Sequence, residues 1–219
     1  MDQLSAAYEA TFRAEGWGPK PLPRSPSRSG YSPTGVPPLG RARQMVFYVI
    51  LRGPLGVGKT SVALRLSIEI PAKHVAIDRI LEERNLEEWA DGYISERSFL
   101  RVNEVAAEEA RPWLEQGTAV VFDGNFYWRS VIEDLIRRLE FPHEVYTLHA
   151  PLDVCAERDR GRTVSYGWEA ARDVYTKSTA FDFGVMVDAN RPLGDVVAEI
   201  VRRLPRTIPP PASRTDRVA

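Results

Sequence analysis

Eight consecutive residues have the types and the spacing of a phosphate-binding loop. Residues 53–60 read Gly-Pro-Leu-Gly-Val-Gly-Lys-Thr and satisfy the pattern G-x-x-x-x-G-K-[ST]. Glycine lets the backbone curl so that successive N–H groups point at phosphate oxygens, Lys59 can reach the β- and γ-phosphates, and the Thr60 hydroxyl can bind Mg²⁺. The sequence therefore predicts a nucleoside triphosphate site. Its candidate residues are Gly53, Pro54, Leu55, Gly56, Val57, Gly58, Lys59, Thr60 and Ser61.

The residues on either side of this octet favour the same interpretation. Residues 46–51 are uninterrupted apolar residues, as expected for a strand buried on both faces. After the octet, apolar side chains recur at helical spacing over residues 60–70. A helix that begins at the end of the loop would direct its N-terminal dipole at the phosphates.

Two aspartates follow predicted strands and are the main candidates for further chemistry. Asp78 follows the strand predicted at 74–77, and Asp123 follows the one at 118–122. Carboxyl ends of parallel strands meet at one edge of the sheet, so both carboxylates should lie near the phosphate loop. Either can hold Mg²⁺; we assign Asp123 to the metal with Thr60, and Asp78 to accepting the proton of an attacking hydroxyl. The alternative is that each aspartate only caps the helix that follows.

A basic segment after the fourth predicted strand is a candidate lid. Arg158, Arg160 and Arg162 lie close together and are followed by small residues suited to a mobile segment. We predict that Arg158 and Arg162 fold over the triphosphate and neutralise charge on the transferred phosphoryl group. The alternative is a solvated helix end, where basic residues interact favourably with the dipole.

Strand and helix patterns alternate through the middle of the chain, which predicts an α/β fold with a parallel five-stranded sheet and helices on both faces. The predicted strands are 46–51, 74–77, 118–122, 144–149 and 185–187. The predicted helices are 60–70, 79–90, 96–116, 127–139, 152–159, 168–177 and 193–203. Gly117 is expected to end the third of these helices.

The two ends of the chain differ in composition from the middle. Residues 16–44 are rich in proline and glycine and contain no acid, so we predict that 1–44 are a flexible extension, dispensable for chemistry. Residues 205–219 are expected to be a disordered tail, which leaves 45–204 as one domain. Two alternatives remain open. In one, Met45 is the real first residue of the protein; in the other, the basic extension docks a partner.

Bulk properties exclude several classes of protein. The 219-residue chain has a net charge of −1, which gives no reason to expect nucleic acid as a partner. No apolar run approaches the length of a membrane span or forms a signal-peptide core, so a cytoplasmic location is expected. Cys155 is the single cysteine and is expected in the core.

Residues 45–204 resemble the small P-loop kinases that phosphorylate hydroxyl groups: chloramphenicol phosphotransferase, adenylylsulfate kinase, gluconate kinase, zeta-toxin kinases and phage-type polynucleotide kinase. The resemblance rests on the loop at 53–60, Asp78-Arg79, Val121-Phe-Asp-Gly-Asn125, the arginines at 158–162 and the segment 181–190. It implies a three-layer P-loop NTPase sandwich, with ATP and Mg²⁺ as cofactors, the Asp78 position as base or substrate anchor, and lid arginines on the phosphates.

The resemblance does not identify an acceptor. The chain lacks the Gly-Phe-Pro-Arg segment of adenylate kinases and the glycine run of shikimate kinases. Acceptor specificity in this fold is set by the helices after strands two and three. The candidate acceptor residues there are Arg79, Arg84, Trp89, Tyr93, Asn125, Tyr127 and Arg129, each of which could equally be a packing residue.

Three functions remain open from the sequence. The first is an ATP- and Mg²⁺-dependent transfer of the γ-phosphoryl group to a hydroxyl of a small molecule. The second transfers it to a polynucleotide 5′-hydroxyl, against which stands the lack of a basic stripe in 45–204. The third is an ATP-hydrolysing regulatory module without an acceptor; the GTPase signature Asn/Thr-Lys-x-Asp is missing from the chain.

Overall fold

A computed structural model of the chain describes residues 46–90 and 92–205. The predicted extension at 1–44 and nearly all of the predicted tail at 205–219 lie outside these ranges. Within them, the strands are β1 (Tyr48–Arg52), β2 (Ala72–Ala76), β3 (Trp89–Ala90), β4 (Tyr93–Ile94), β5 (Ala119–Asp123), β6 (His143–His149) and β7 (Val185–Asp188). The helices are α1 (Lys59–Glu69), α2 (Ile77–Glu83), α3 (Glu96–Glu115), α4 (Arg129–Leu139), α5 (Leu152–Arg160), α6 (Gly167–Ser178) and α7 (Leu193–Arg203).

The main sheet is parallel and has the strand order β2-β5-β1-β6-β7, so the predicted five-stranded α/β fold is confirmed. Every residue of β1 is buried, because helices cover both faces of this central strand. One apolar cluster packs α2, α3 and α4 against the sheet, and a second packs α1 and α7 against its other face. Cys155 lies in the second cluster, as expected.

Most element boundaries agree with prediction within two residues. At the end of α3, Gly117 has φ +88° and donates its N–H to Leu114 O at 3.0 Å, as predicted for a helix-ending glycine. No described helix is both long and apolar enough to cross a membrane.

The helix predicted over 79–90 is wrong at its C-terminal bound. The helix α2 begins at Ile77, which had been assigned to the strand, and ends at Glu83. Asn85 follows with φ +51°, a left-handed conformation that stops the helix, and the chain then forms the short antiparallel hairpin of β3 and β4. The spacing of apolar residues predicted one long helix, because this spacing carries no information about a local reversal of the backbone.

A buried arginine connects the central strand to α6. Arg52, the last residue of β1, donates to Ser178 O at 2.6 Å and to Thr147 Oγ1 at 3.1 Å, and it lies 4.2 Å from the Phe181 ring centre. Burial lowers its pKa to about 10, which leaves it protonated near neutral pH. Because Ser178 ends α6, this contact holds the C-terminal end of that helix beside the strand that leads into the glycine loop.

Candidate functional site

The glycine loop at residues 53–58 joins β1 to α1 and is closely packed. Gly56 has φ +78°, and a Cβ on it would lie 2.0 Å from the carbonyl oxygen of Cys155. A Cβ on Gly53 would lie 2.4 Å from Leu148 O. Both positions therefore exclude any side chain, because the loop is pressed against β6 and α5. The helix α1 follows Gly58 directly and directs its N-terminus at the loop, as the sequence predicted.

The loop lysine is buried and already has partners. Lys59 is 7% exposed, and its Nζ donates to Gly53 O at 3.1 Å, Pro54 O at 3.0 Å and Asn125 Oδ1 at 2.9 Å. Burial lowers the pKa of Lys59, and the nearby carboxylates of Asp78 and Asp123 oppose that effect. An ammonium group is thereby held between the loop and the end of β5.

The two residues assigned to the metal are in contact. Thr60 Oγ1 donates to Asp123 Oδ2 at 2.7 Å, and Asp123 is 4% exposed at the end of β5. The other oxygen, Asp123 Oδ1, lies 2.5 Å from His74 Nε2 on β2. The imidazole and the hydroxyl therefore hold the two carboxylate oxygens of Asp123 in different directions, with Oδ2 on the side of the loop.

Asp78 lies in the first turn of α2 but does not cap it. Residue 76 occupies the cap position, and the Asp78 carboxylate instead accepts from Asn125 N at 3.2 Å and from Asn125 Nδ2 at 3.1 Å. The Asn125 amide thus joins Asp78 to Lys59 across the gap between two strand ends. The capping alternative does not account for these contacts.

The Asp78 carboxylate is surrounded by other charged groups. Removal from water raises the pKa of Asp78 to about 6, Asp123 adds to the rise, and the Lys59 ammonium and the Asn125 N–H oppose it. Asp78 is exposed to solvent, which limits this shift. A carboxylate with a raised pKa is better suited to accept a proton than an ordinary aspartate.

The predicted lid arginines occupy different positions. Arg158 donates to Val57 O at 3.3 Å and to Ala189 O at 3.1 Å, so it packs against the glycine loop. Arg162 lies 3.8 Å from Asp159 Oδ1. Its positive charge is one of the smaller causes that lower the pKa of Lys59 and of Asp78, as expected for a side chain near the phosphate site. Arg160 pairs with Glu157 at 2.6 Å on the exposed side.

Buried Asp159 organises the segment that carries these arginines. It is 1% exposed, and its Oδ2 accepts from Ser165 Oγ at 2.9 Å, Tyr166 N at 3.0 Å and Gly167 N at 3.3 Å. These bonds hold the turn between α5 and α6 in one conformation. The sequence analysis assigned Asp159 no role.

The remaining candidate acceptor residues have three kinds of surroundings. Arg79 pairs with Glu83 and Arg84 with Glu109, while Arg129 donates to Asp182 O at 2.9 Å and lies over the Phe183 ring, so all three have other partners. Tyr93 and Tyr127, by contrast, pack at 6.1 Å between ring centres beside the Asp78 region. Trp89 is 69% exposed on the hairpin.

Sequence reasoning missed His74 as a functional residue. The sequence analysis assigned it no role, and its partner Asp123 is 49 residues away. Since β2 and β5 are neighbours in register, with Ala76 opposite Asp123, His74 lies one side-chain repeat from the aspartate on the same face. Only the strand order, which the sequence does not supply, would have indicated that His74 and Asp123 are in contact.

The fold and the site together define a P-loop nucleotide-binding domain of the kinase-like type. A family model described as an AAA domain (AAA_33) matches residues 49–179, which is more than half of the chain. The chain belongs to this family. The match begins within β1 and ends after α6, so it includes the glycine loop, Asp78, Asp123 and the arginines at 158–162.

Solved structures share the fold at low sequence identity. A gluconokinase from Sinorhizobium meliloti 1021 is similar with a TM-score of 0.55 and 19% identity over 73% of this chain and 92% of that chain. A sugar kinase from Janibacter sp. HTCC2649 has a TM-score of 0.60 and 15% identity over 72% and 93% of the two chains. No curated protein matches the chain significantly in sequence.

Proposed function

We propose that this protein is an ATP- and Mg²⁺-dependent phosphotransferase that moves the γ-phosphoryl group of ATP to a hydroxyl of a small molecule. The observation that carries the proposal is the contact series Lys59–Asn125–Asp78, which puts a carboxylate with a raised pKa beside the lysine of the phosphate loop. The fold shared with a gluconokinase and a sugar kinase supports it. Such an enzyme would work in the cytoplasm, where ATP and Mg²⁺ are available.

The donor set at the end of β5 fits Mg²⁺. This ion is usually bound by one or two carboxylates together with substrate phosphates, and it prefers oxygen ligands. Thr60 Oγ1 and Asp123 Oδ2 are 2.7 Å apart at the mouth of the loop, so they would hold the ion directly or through water. When bound, Mg²⁺ neutralises phosphate charge and fixes the orientation of the triphosphate.

The side chains of the site have separate roles in the proposed transfer. Lys59 and the loop amides bind the β- and γ-phosphates, and Arg162 neutralises charge that develops on the phosphoryl group. Asp78 orients the acceptor hydroxyl and takes its proton as the oxygen attacks phosphorus. Asn125 is a positioning residue, since it holds Asp78 through two hydrogen bonds.

An acceptor screen with ATP labelled at the γ-phosphate tests the proposal. Transfer of label to a small hydroxyl compound is the expected result. Release of labelled phosphate alone, whatever acceptor is added, would favour the hydrolysing module. Transfer to the 5′-hydroxyl of an oligonucleotide would favour the polynucleotide kinase.

We expect His74 to affect Mg²⁺ binding through Asp123. In His74→Leu, Asp123 loses the partner that holds Oδ1, and the Mg²⁺ concentration needed for half-maximal ATP binding should rise by about tenfold or more, the usual effect of losing a residue that orients a metal ligand. His74→Gln should retain most of the affinity, because a side-chain amide can also donate to Oδ1.

Calorimetric titration of ATP at a series of fixed Mg²⁺ concentrations measures this effect independently of turnover. His143→Leu is the control, because His143 is exposed at the start of β6 and stacks on Tyr48 away from the glycine loop. If His74→Leu and His74→Gln bind Mg²⁺ as the wild type does, the histidine does not orient the carboxylate.

Removal of the Arg162 charge should lower kcat more than it weakens ATP binding, because its phosphate contacts are expected to strengthen in the transition state. Arg162→Gln is the variant, and Arg160→Gln is the matched control, since Arg160 has an exposed partner in Glu157. Steady-state kinetics and nucleotide titration measure both quantities. Equal loss of ATP and ADP affinity with unchanged kcat would assign Arg162 to passive binding.

A further inference from the structure

The helix α5 packs against the glycine loop. A Cβ on Gly56 would meet the backbone of α5, and Arg158 near the end of this helix donates to Val57 O at 3.3 Å. Arg162 lies about one helical turn after Arg158, and its N–H donates to Asp159 O at 3.1 Å, which continues the turn beyond the end of α5. The Arg162 side chain therefore begins one turn beyond a direct contact with the loop.

Contacts other than Arg162 fix the carboxylate of Asp159. This residue is 1% exposed, and its Oδ2 accepts hydrogen bonds from Ser165 Oγ, Tyr166 N and Gly167 N. Hydrogen bonds to a charged oxygen offset part of the cost of burying it. Because these donors all meet at Oδ2, they also fix the direction of the other oxygen, Oδ1.

The Oδ1 atom of Asp159 faces a cation. It is buried and accepts no hydrogen bond in the described part of the chain, and Arg162 Nη1 lies 3.8 Å from it. This distance is too long for a hydrogen bond, so the attraction is one between charges. The Arg162 side chain is 43% exposed, whereas that of Asp159 is 1% exposed. A fixed anion is therefore paired with a cation that has room to move.

The charge of Arg162 acts on the lysine of the phosphate loop. Burial lowers the pKa of Lys59 most, and Arg162 adds a smaller decrease. Together with the contact of α5 with the loop, this effect indicates that Arg162 can reach the phosphates that Lys59 would bind. A long side chain loses rotamer freedom when it contacts a ligand, and a residue that restricts it beforehand reduces that loss.

We propose that Asp159 is a positioning residue for phosphoryl transfer, whose buried charge orients the Arg162 guanidinium toward the transferred group. This inference rests on the proposed function. Because the ion pair includes no hydrogen bond, the phosphoryl group can attract the guanidinium without displacing a strong contact.

The alternative is a purely structural role for Asp159. Tyr166 N and Gly167 N lie at the start of α6, where a carboxylate that accepts from them caps the helix. Asp159→Asn separates the two roles. The amide oxygen of asparagine can accept from the same donors, and asparagine caps helices as well as aspartate does, so the turn should persist while the charge opposite Arg162 is lost.

Binding of ADP with aluminium fluoride tests the proposal without an acceptor, because the fluoride complex imitates the phosphoryl group during transfer. The full-length protein is titrated in a calorimeter with Mg²⁺ and ADP, with and without aluminium fluoride. We expect Asp159→Asn to bind the fluoride complex about tenfold more weakly than the wild type, within the usual range of coupling between residues in contact, and to bind ADP alone as the wild type does.

A double-mutant cycle shows whether this effect passes through Arg162. The variant Asp159→Asn/Arg162→Gln should bind the fluoride complex as weakly as Arg162→Gln does, because the carboxylate then has no cation to orient. Glu157→Gln is the matched control, since Glu157 is an acid of α5 that pairs with Arg160 on the exposed side. This control should bind the complex as the wild type does.

Melting temperatures of all variants report on folding. If Asp159→Asn does not fold, Asp159→Ser replaces it, because serine also caps a helix and carries no charge, and the same results are expected.

Losses that add up in the double variant would make Asp159 a structural residue and overturn the inference, as would wild-type binding by Asp159→Asn. Tighter binding by Asp159→Asn would also overturn it, since the carboxylate would then hold Arg162 away from the phosphates. In each of these cases the proposed function stands if the wild type binds the fluoride complex more tightly than ADP. If the wild type does not, the proposed function fails, and the inference with it.

Discussion

Phosphoryl transfer should fall by about 10²–10⁴-fold in Asp78→Asn, while ATP still binds. Asparagine has nearly the size of aspartate but cannot take a proton from the acceptor hydroxyl. The carboxylate is held by Asn125 N and Asn125 Nδ2, and asparagine can still accept at one oxygen, so the local structure should persist. Turnover with a true acceptor and nucleotide titration measure the two effects separately.

Asp195→Asn is the matched control for this substitution. Asp195 also lies in the first turn of a helix, α7, so the control loses the same favourable interaction with a helix dipole. The control should retain normal transfer. Normal transfer by Asp78→Asn would instead make Asp78 a structural residue and require another base, of which Asp123 is the nearest candidate.

The raised pKa of Asp78 also predicts a dependence of activity on pH. A base must be unprotonated to act, and the pKa of Asp78 is about 6, so kcat/KM should decrease as the pH falls through this value. An ordinary aspartate, with a pKa near 4, would show no loss above pH 5. A flat profile between pH 5 and 7 would contradict a base with this pKa.

Replacement of Lys59 by alanine should reduce turnover by at least about 100-fold, or about 2.7 kcal/mol of transition-state stabilisation. The substitution removes the ammonium group that is held beside the loop carbonyls and Asn125. Because the side chain lies at the ligand site and carries a desolvated charge, its loss should not lower the melting temperature substantially.

The control for this variant is Lys73→Ala, which removes a lysine on β2 that lies 4.3 Å from the Trp113 ring centre. The Lys73→Ala variant should bind and turn over ATP as the wild type does. A folded Lys59→Ala protein with near-normal transfer would contradict the proposed role of the loop, and a loss confined to KM would mean that Lys59 binds substrate and transition state equally.

The sequence alone determined the class of site, because a phosphate loop is local. The strand, the eight residues of the loop and the following helix are contiguous in the sequence. The spacing of the glycines directly indicates a backbone that curls around phosphate groups. Segments with strand-like and helix-like spacing of apolar residues alternate along the chain, and this predicted a parallel sheet covered by helices. The prediction follows because each strand and each helix must bury its apolar side against a neighbouring element. Asp78 and Asp123 were candidates because they follow predicted strands.

Only the tertiary structure decided how these residues combine. Asn125 joins Lys59 to Asp78, and His74 contacts Asp123, because β2, β5 and β1 lie side by side and bring distant segments to one edge. Strand order depends on how whole helices cover the sheet, so no local pattern encodes it. The hairpin of β3 and β4 follows a single left-handed residue, Asn85, whose conformation cannot be predicted from the spacing of apolar residues.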